Sequence, residues 1–162
     1  MATAQRPEKQ PDRIDRRILR ELQTDGRLSF VDLADRVGLS TSPCLERVRR
    51  LERDGYIRGY TALLAADKLG AGLLVFVEIS LNYTSGKVFD EFREAVGRWP
   101  QILECHLVSG DFDYLLKVRI ADMASYREFL GEILQTLPGV RDSRTLVAME
   151  TVKESTVLDI RV

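Results

Sequence analysis

Between Asp12 and Asp54 the apolar residues recur only at helical spacing, in three short stripes punctuated by Gly26 and by Gly38-Leu39-Ser40. Few folds accept so brief a run of helices. Asp12 can cap a first helix whose Ile14, Ile18, Leu19 and Leu22 share one face, with Gly26 past its end as the stop. Ser29 and Asp32 stand at capping-box spacing, and Phe30, Leu33, Ala34 and Val37 form a stripe of barely two turns that ends at Gly38. Ser40 can cap a third helix, and Pro43 lies in its first turn, where a missing N–H has no partner to lose. Leu45, Val48 and Leu51 mark the inward face of that helix up to Gly55. A short helix, a turn containing glycine and a longer helix form a helix-turn-helix, here at about residues 30–54.

The second helix of such a pair enters the major groove of DNA. Its outward residues are Thr41, Ser42, Glu46, Arg47, Arg49, Arg50 and Arg53. Net charge is −1 over 162 residues, which argues against a strongly basic binder, but the distribution is uneven. Residues 1–60 carry 13 Lys/Arg against 10 Asp/Glu, and the remainder carries 11 against 15. Twelve of those first 13 cations are arginine, the side chain suited to bidentate phosphate and guanine contacts. A three-helix bundle with a solvated charged face is the bland alternative, and three consecutive matches to the layout favour DNA. Tyr56-Ile57-Arg58-Gly59-Tyr60 alternates in character and predicts a strand or small wing.

The rest of the chain changes period. Leu73–Leu81 reads as a strand, with Val75, Val77, Ile79 and Leu81 on one face and Leu74 and Phe76 on the other. Val88, Phe89, Phe92, Ala95, Val96 and Trp99 then form a helical stripe stopped by Pro100, and Ile102–Val108 returns as a strand. Across Ser109-Gly110-Asp111 a strand runs from Phe112 to Ile120. Asp122 can cap a helix bearing Met123, Tyr126, Phe129, Leu130, Ile133 and Leu134, which ends at Pro138-Gly139 before a last strand from Val140 to Glu150. Two βαβ units in tandem predict a ferredoxin-like βαββαβ module, an antiparallel sheet with both helices on one face. The open face would carry Leu74, Phe76, Val108, Leu115 and Leu146, more apolar surface than a monomer tolerates, so a dimer covering it is expected.

The fold class is therefore α+β, a winged helix-turn-helix at residues 11–61 joined by a linker at 62–71 to the ferredoxin-like module at 72–152. Flexible tails are expected at 1–10 and 153–162. The hydrophobic content is 44% and the charged content 30%, as in soluble globular proteins, and no run approaches the roughly 20 apolar residues of a membrane span. Met1–Pro11 lacks the apolar core of a secretory signal, so a cytoplasmic protein without membrane partners is expected. Cys44 and Cys105 lack C-x-x-C spacing and predict neither a disulfide framework nor a metal site. An enzyme of ferredoxin-like fold is disfavoured, because no nucleophile-and-base pair or phosphate loop appears and His106 is the sole histidine. An RNA platform is disfavoured too, since Asp113–Ile120 offers only Tyr114 for base stacking.

Four stretches resemble the Lrp/AsnC family of transcription regulators: Asp12-Arg13-Ile14-Asp15, Val37-Gly38-Leu39-Ser40, the run from Pro43 to Glu52, and the run from Glu104 to Leu115. The resemblance extends from about Asp12 to about Glu154. It implies an AsnC-type (RAM) effector domain, and dimers that join into octamers or hexadecamers. It also implies nucleoid-associated control of amino-acid metabolism genes, tuned by leucine or another amino acid rather than by a cofactor. Candidate contacts to double-stranded DNA are Ser40, Thr41, Ser42, Pro43, Glu46, Arg47, Arg49 and Arg50. By position, Gly110, Asp111 and Asp113 match the family's turn beside the effector site between dimers, and Leu107, Met123, Val147 and Ala148 match nearby wall positions. A free amino acid needs a carboxylate for its ammonium group, which Asp111 or Asp113 offers, and N–H donors for its carboxylate, which the Gly110 turn offers. Gly110-Asp111 equally suits a plain tight turn. The last strand, Thr145-Leu146-Val147-Ala148, is smaller and less aromatic than the family's leucine-responsive pattern and leaves the identity of the amino acid open.

Overall fold

Helix α1 (Arg13–Thr24) starts with a complete capping box: the Asp12 side chain accepts from the N–H groups of Ile14 and Asp15, and the Asp15 side chain accepts from Asp12 N. These relations are seen in a computed structural model that describes residues 10–82 and 86–162. Helix α2 (Phe30–Val37) is capped by Ser29 and closed by Gly38 in the left-handed region at φ 76°, where a β-carbon would be strained. Helix α3 (Thr41–Arg53) follows at once. Ile18 and Leu22 of α1, Leu33, Ala34 and Val37 of α2, and Cys44, Val48 and Leu51 of α3 form one buried cluster. Cys44 takes an inward position beside Val48 and Leu51, while Leu45 is half-buried.

Two expectations fail in this unit. Ser40 stands at the N-cap of α3, but its side chain makes no capping bond, since the N3 position that would donate to it is Pro43 and carries no N–H. The expected strand at Tyr56–Tyr60 does not form among the described residues. That segment closes α3 instead: Ile57 N donates to Leu51 O, Ile57 packs on the helical core, and the Tyr60 hydroxyl donates to Glu52 Oε1 at 3.0 Å.

The second unit is a sheet in the order β2-β3-β1-β4, every pairing antiparallel. Its strands are β1 (Leu73–Leu81), β2 (Ile102–Leu107), β3 (Tyr114–Ile120) and β4 (Val140–Val147), with α4 (Gly86–Val96) between β1 and β2 and α5 (Met123–Thr136) between β3 and β4. This is the expected ferredoxin-like βαββαβ arrangement. Alternation along β1 sends Val75, Val77, Ile79 and Leu81 into a core with Phe92 and Val96 of α4 and Tyr126, Phe129 and Ile133 of α5. Strand β1 has the expected bounds, while β2, β3, β4 and α4 are shorter than expected: β2 stops at Leu107, β4 stops at Val147, β3 begins two residues after Phe112, and α4 ends before Trp99.

By internal contacts the chain divides into one unit that holds residues up to Leu63 with Glu154–Val162, and another at Leu64–Lys153. Part of the segment read as linker, Ala66–Leu69, is a 3-10 turn. The segment read as a C-terminal tail is tied to α1, where the Gln23 amide both accepts from Leu158 N (3.0 Å) and donates to Leu158 O (2.8 Å), and Arg16 Nη1 donates to Arg161 O (3.2 Å). The N-terminal tail read at 1–10 lies outside the described residues except for its last position.

Candidate nucleic-acid interface and ligand site

With proline at N3 and no side-chain cap, the N-terminus of α3 presents exposed Thr41, Ser42 and Pro43. The positive end of a helix with open N–H groups attracts phosphate. Pro43, Glu46, Arg47, Arg49, Arg50 and Arg53 line a shallow groove along the same helix. Arg49 is exposed and makes no ion pair among the described residues, and the Arg53 side chain is 72% exposed.

Arg47 and Arg50 are placed differently from expectation. Arg47 Nη1 donates to Asp12 Oδ2 and Asp15 Oδ1, both at 2.7 Å, and Arg50 Nη2 donates to Asp15 Oδ2. Each arginine side chain is 26% exposed and the Asp15 side chain only 2%. These two cations are therefore committed first to an ionic joint between α3 and the start of α1. Helical spacing alone put them on the outward face, and what it missed was that Asp12, the N-cap of α1, and Asp15 in its first turn face them.

The joint has a pH signature. The Arg47 guanidinium and the Asp15 N–H hold the Asp12 carboxyl down at about 2, against 3.8 ordinarily. Because the folded value is the lower one, its stabilisation is complete above about pH 4 and is lost as pH falls from there toward 2. Asp12 is 43% exposed, so solvent and salt screen the pair and reduce the effect. The expected result is that the urea midpoints of the parent and Asp12→Asn, separate at pH 5, converge by pH 2; parallel curves would refute the assignment.

The residues expected around an effector fall into two groups at opposite ends of the sheet. Leu107 pairs with Tyr114, which pairs with Ile79, so Leu107 and the turn from Ser109 to Asp113 lie at the C-terminal end of β1. Val147 pairs with Val75 and Ala148 N donates to Leu74 O, while Met123 begins α5 just after Ile120, the partner of Leu73. This second group lies at the N-terminal end of β1. From Val75 to Ile79 the strand advances about 13 Å, beyond the reach of one free amino acid. Leu107, Met123 and Val147 are exposed.

The two candidate carboxylates also differ. Asp113 is buried, its Oδ2 accepting from Leu81 N at 2.7 Å and its own N–H donating to Ile79 O, so its side chain continues the β1–β3 ladder past the last backbone pair. Asp111 is exposed and lines a pocket of about 220 Å³ with Glu78, Ser80, Phe112, Asp142, Ser143 and Arg144. Gly110 stands at φ 150°, part of the turn itself. Having read Asp113 as a ligand group from its place beside the turn, sequence reasoning could not see the Leu81 N–H that takes its oxygen.

On the open sheet face the apolar Phe76, Leu115 and Leu146 are interleaved with ion pairs, Lys117 with Glu104 (3.1 Å) and Arg144 with Glu78 (3.7 Å). His106 lies there as a strand residue, its Nε2 3.1 Å from Glu104 Oε2, and together with Lys117 it lowers the Glu104 carboxyl from its ordinary value. Burial raises both thiols, Cys105 to about 11, which keeps them protonated and unreactive. No group of three or more potential metal ligands exists among the described residues.

A helix-turn-helix joined to an antiparallel ferredoxin-like unit defines a two-domain, DNA-binding regulator of transcription rather than an enzyme. Residues 11–58 match the family described as winged helix-turn-helix DNA-binding, and residues 74–158 match the Lrp/AsnC ligand binding domain. The chain belongs to the Lrp/AsnC family. It is 63% identical over 156 residues to the leucine-responsive regulatory protein of Escherichia coli K12, covering 96% of this chain and 95% of that one. Among solved structures it is similar to an AsnC family transcriptional regulator from Agrobacterium tumefaciens (41% identity, TM-score 0.87, 91% and 95% of the two chains). A transcriptional regulator from Neisseria meningitidis in complex with L-Met is also similar (36% identity, TM-score 0.86, 91% and 95%).

Proposed function

We propose that this regulator controls genes of amino-acid metabolism in response to a free apolar amino acid, leucine or a similar one, held between copies of its C-terminal unit, with no further cofactor. The observation that carries the reading is the separation of the two candidate groups along β1: a pocket built from both must draw them from different copies. In such a pocket Asp111 and the Gly110 turn meet the ammonium and carboxylate groups, and Leu107, Met123, Val147 and Ala148 wall the side chain. The L-Met complex of the Neisseria relative supports an amino-acid ligand. Dimers form by covering the open sheet face and join into octamers or hexadecamers, and the assembly works on nucleoid DNA in the cytoplasm. No helix among the described residues is long and apolar enough to cross a membrane, in keeping with that place.

Sedimentation and DNA affinity measured as each of the amino acids is added in turn test the effector. An apolar amino acid is expected to shift both, and a profile unchanged by all of them refutes the reading. On the DNA side the reading surface is Thr41, Ser42, Pro43 and Glu46 with Arg49 beside them. Arg49→Ala is expected to weaken binding and lower the salt slope by about one counterion, with no change in thermal unfolding. A slope equal to that of the parent would take Arg49 off the phosphate backbone.

A further inference from the structure

Asp15 stands on α1, almost without solvent access, and spends both carboxylate oxygens on the helix that reads DNA, Oδ1 on Arg47 and Oδ2 on Arg50. Asp12 adds a second acceptor for Arg47 Nη1. Packing α1 against α3 does not require this, since Ile18 and Leu22 already meet Val48 and Leu51 in the core, and a buried ion cluster is by itself a poor source of stability. The cluster does control charge. Four arginines line the groove along α3, and the two aspartates neutralise two of them. An arginine free to swing will reach any phosphate, which adds affinity for every sequence and discrimination for none.

We propose that Asp15 is a positioning residue for DNA recognition: by tying the Arg47 and Arg50 guanidinium groups to α1 it withdraws them from mobile phosphate contact, so that the duplex is met by Arg49 and Arg53 beside Thr41 and Ser42. Asp15 touches no DNA in this account. It acts through the two arginines, and its effect is to lower sequence-independent binding relative to specific binding. The inference rests on the DNA-binding reading of this unit.

The test uses the full chain, a duplex that the parent selects from a random-sequence pool, and an unselected random duplex of equal length, each titrated at several salt concentrations. Asp15→Asn removes the charge and the acceptor of Arg47 while one side-chain oxygen stays to accept from Asp12 N, so both ion pairs are lost and Arg50 keeps at most a neutral hydrogen bond. Binding to the random duplex is expected to hold or tighten, and the preference for the selected duplex to fall about tenfold, against the 10³–10⁷ span typical of specific over non-specific binding. The salt slope should steepen by one to two counterions as the arginines are released. Asp12→Asn, which keeps the α1 cap and removes only one of the two acceptors of Arg47 Nη1, should steepen it by less than half as much. Adding Arg47→Gln and Arg50→Gln to Asp15→Asn should return the slope to that of the parent, a recovery that a merely structural aspartate would not give.

Equal losses on both duplexes at an unchanged slope, in a variant whose circular dichroism shows it folded, would overturn the proposal. Should Asp15→Asn not fold, Arg47→Gln in the otherwise parental chain decides: a guanidinium that Asp15 withholds from phosphate leaves the salt slope at the parental value when it is removed, and a slope lower by about one counterion overturns the proposal. A parent that prefers no duplex from the pool would refute the DNA reading itself and this proposal with it.

Discussion

Phe92→Ala is expected to destabilise the C-terminal unit by about 3–5 kcal/mol, the range for emptying a buried phenylalanine site. Phe92 is 0% exposed, and its ring stacks on Tyr114 at 4.5 Å between centroids. It is the point at which α4 meets β3, with Val75, Val77 and Ile79 of β1 in the same cluster. A cavity there cannot collapse easily, because α4 is flanked by a sheet whose register is held on both sides of β1. The unit would then sit near or below the stability of a small domain. Denaturant unfolding followed at the sheet should show an earlier midpoint at a similar slope, while the helical core around Ile18 and Leu33, in a separate cluster, keeps its own midpoint. A loss under about 1 kcal/mol would mean that the site repacks and that Phe92 is not the keystone of the α4 contact.

Asp113→Ala is expected to cost about 2–3 kcal/mol, because it leaves the Leu81 N–H buried without its acceptor. Its consequence for function is specific. Loss of an amino-acid response in this variant would follow from loss of the β1–β3 end alone, and would not identify Asp113 as a ligand. Asp113→Asn separates the two roles, since the amide oxygen can still accept from Leu81 N while the charge is gone. The asparagine variant is expected to recover most of the stability and to keep the response, whereas Asp111→Asn, at an exposed position lining the pocket, should lose the response at unchanged stability. A folded Asp113→Asn protein blind to every amino acid would return Asp113 to the ligand set.

Much of the architecture was legible in the sequence because it depends on interactions between near neighbours. The Asp12 cap, the Ser29 cap and the Gly38 stop are settled within a turn of chain, and each forms as expected. The alternation from Leu73 to Leu81 specifies both a strand and the face it buries, and β1 has those bounds. The same kind of reasoning failed where a local signal had a distant competitor. Tyr56–Tyr60 alternates as a strand does, but Ile57 is drawn into the helical core and Tyr60 to Glu52. Residues 153–162 carry no strong periodicity and read as a tail, yet Gln23 holds the backbone of Leu158 by two hydrogen bonds.

The candidate sites divide in the same way. Residue type and spacing along one helix were enough to gather Thr41, Ser42, Pro43, Glu46 and Arg49 on a single exposed face, because a helix fixes its own faces. The sequence by itself thus determined the five α-helices and four sheet strands, their order, most of the buried stripe of each and the family resemblance. Only the tertiary structure decided which charges are free to act. Arg47 and Arg49 differ little in sequence, and Asp111 and Asp113 hardly more, but one of each pair meets a partner brought from more than 30 positions away, Asp15 for Arg47 and Leu81 for Asp113. A charge buried beside its counterion or an N–H cannot also serve a ligand at no cost, and which side chains meet such partners is set by the packing of helix on helix and strand on strand.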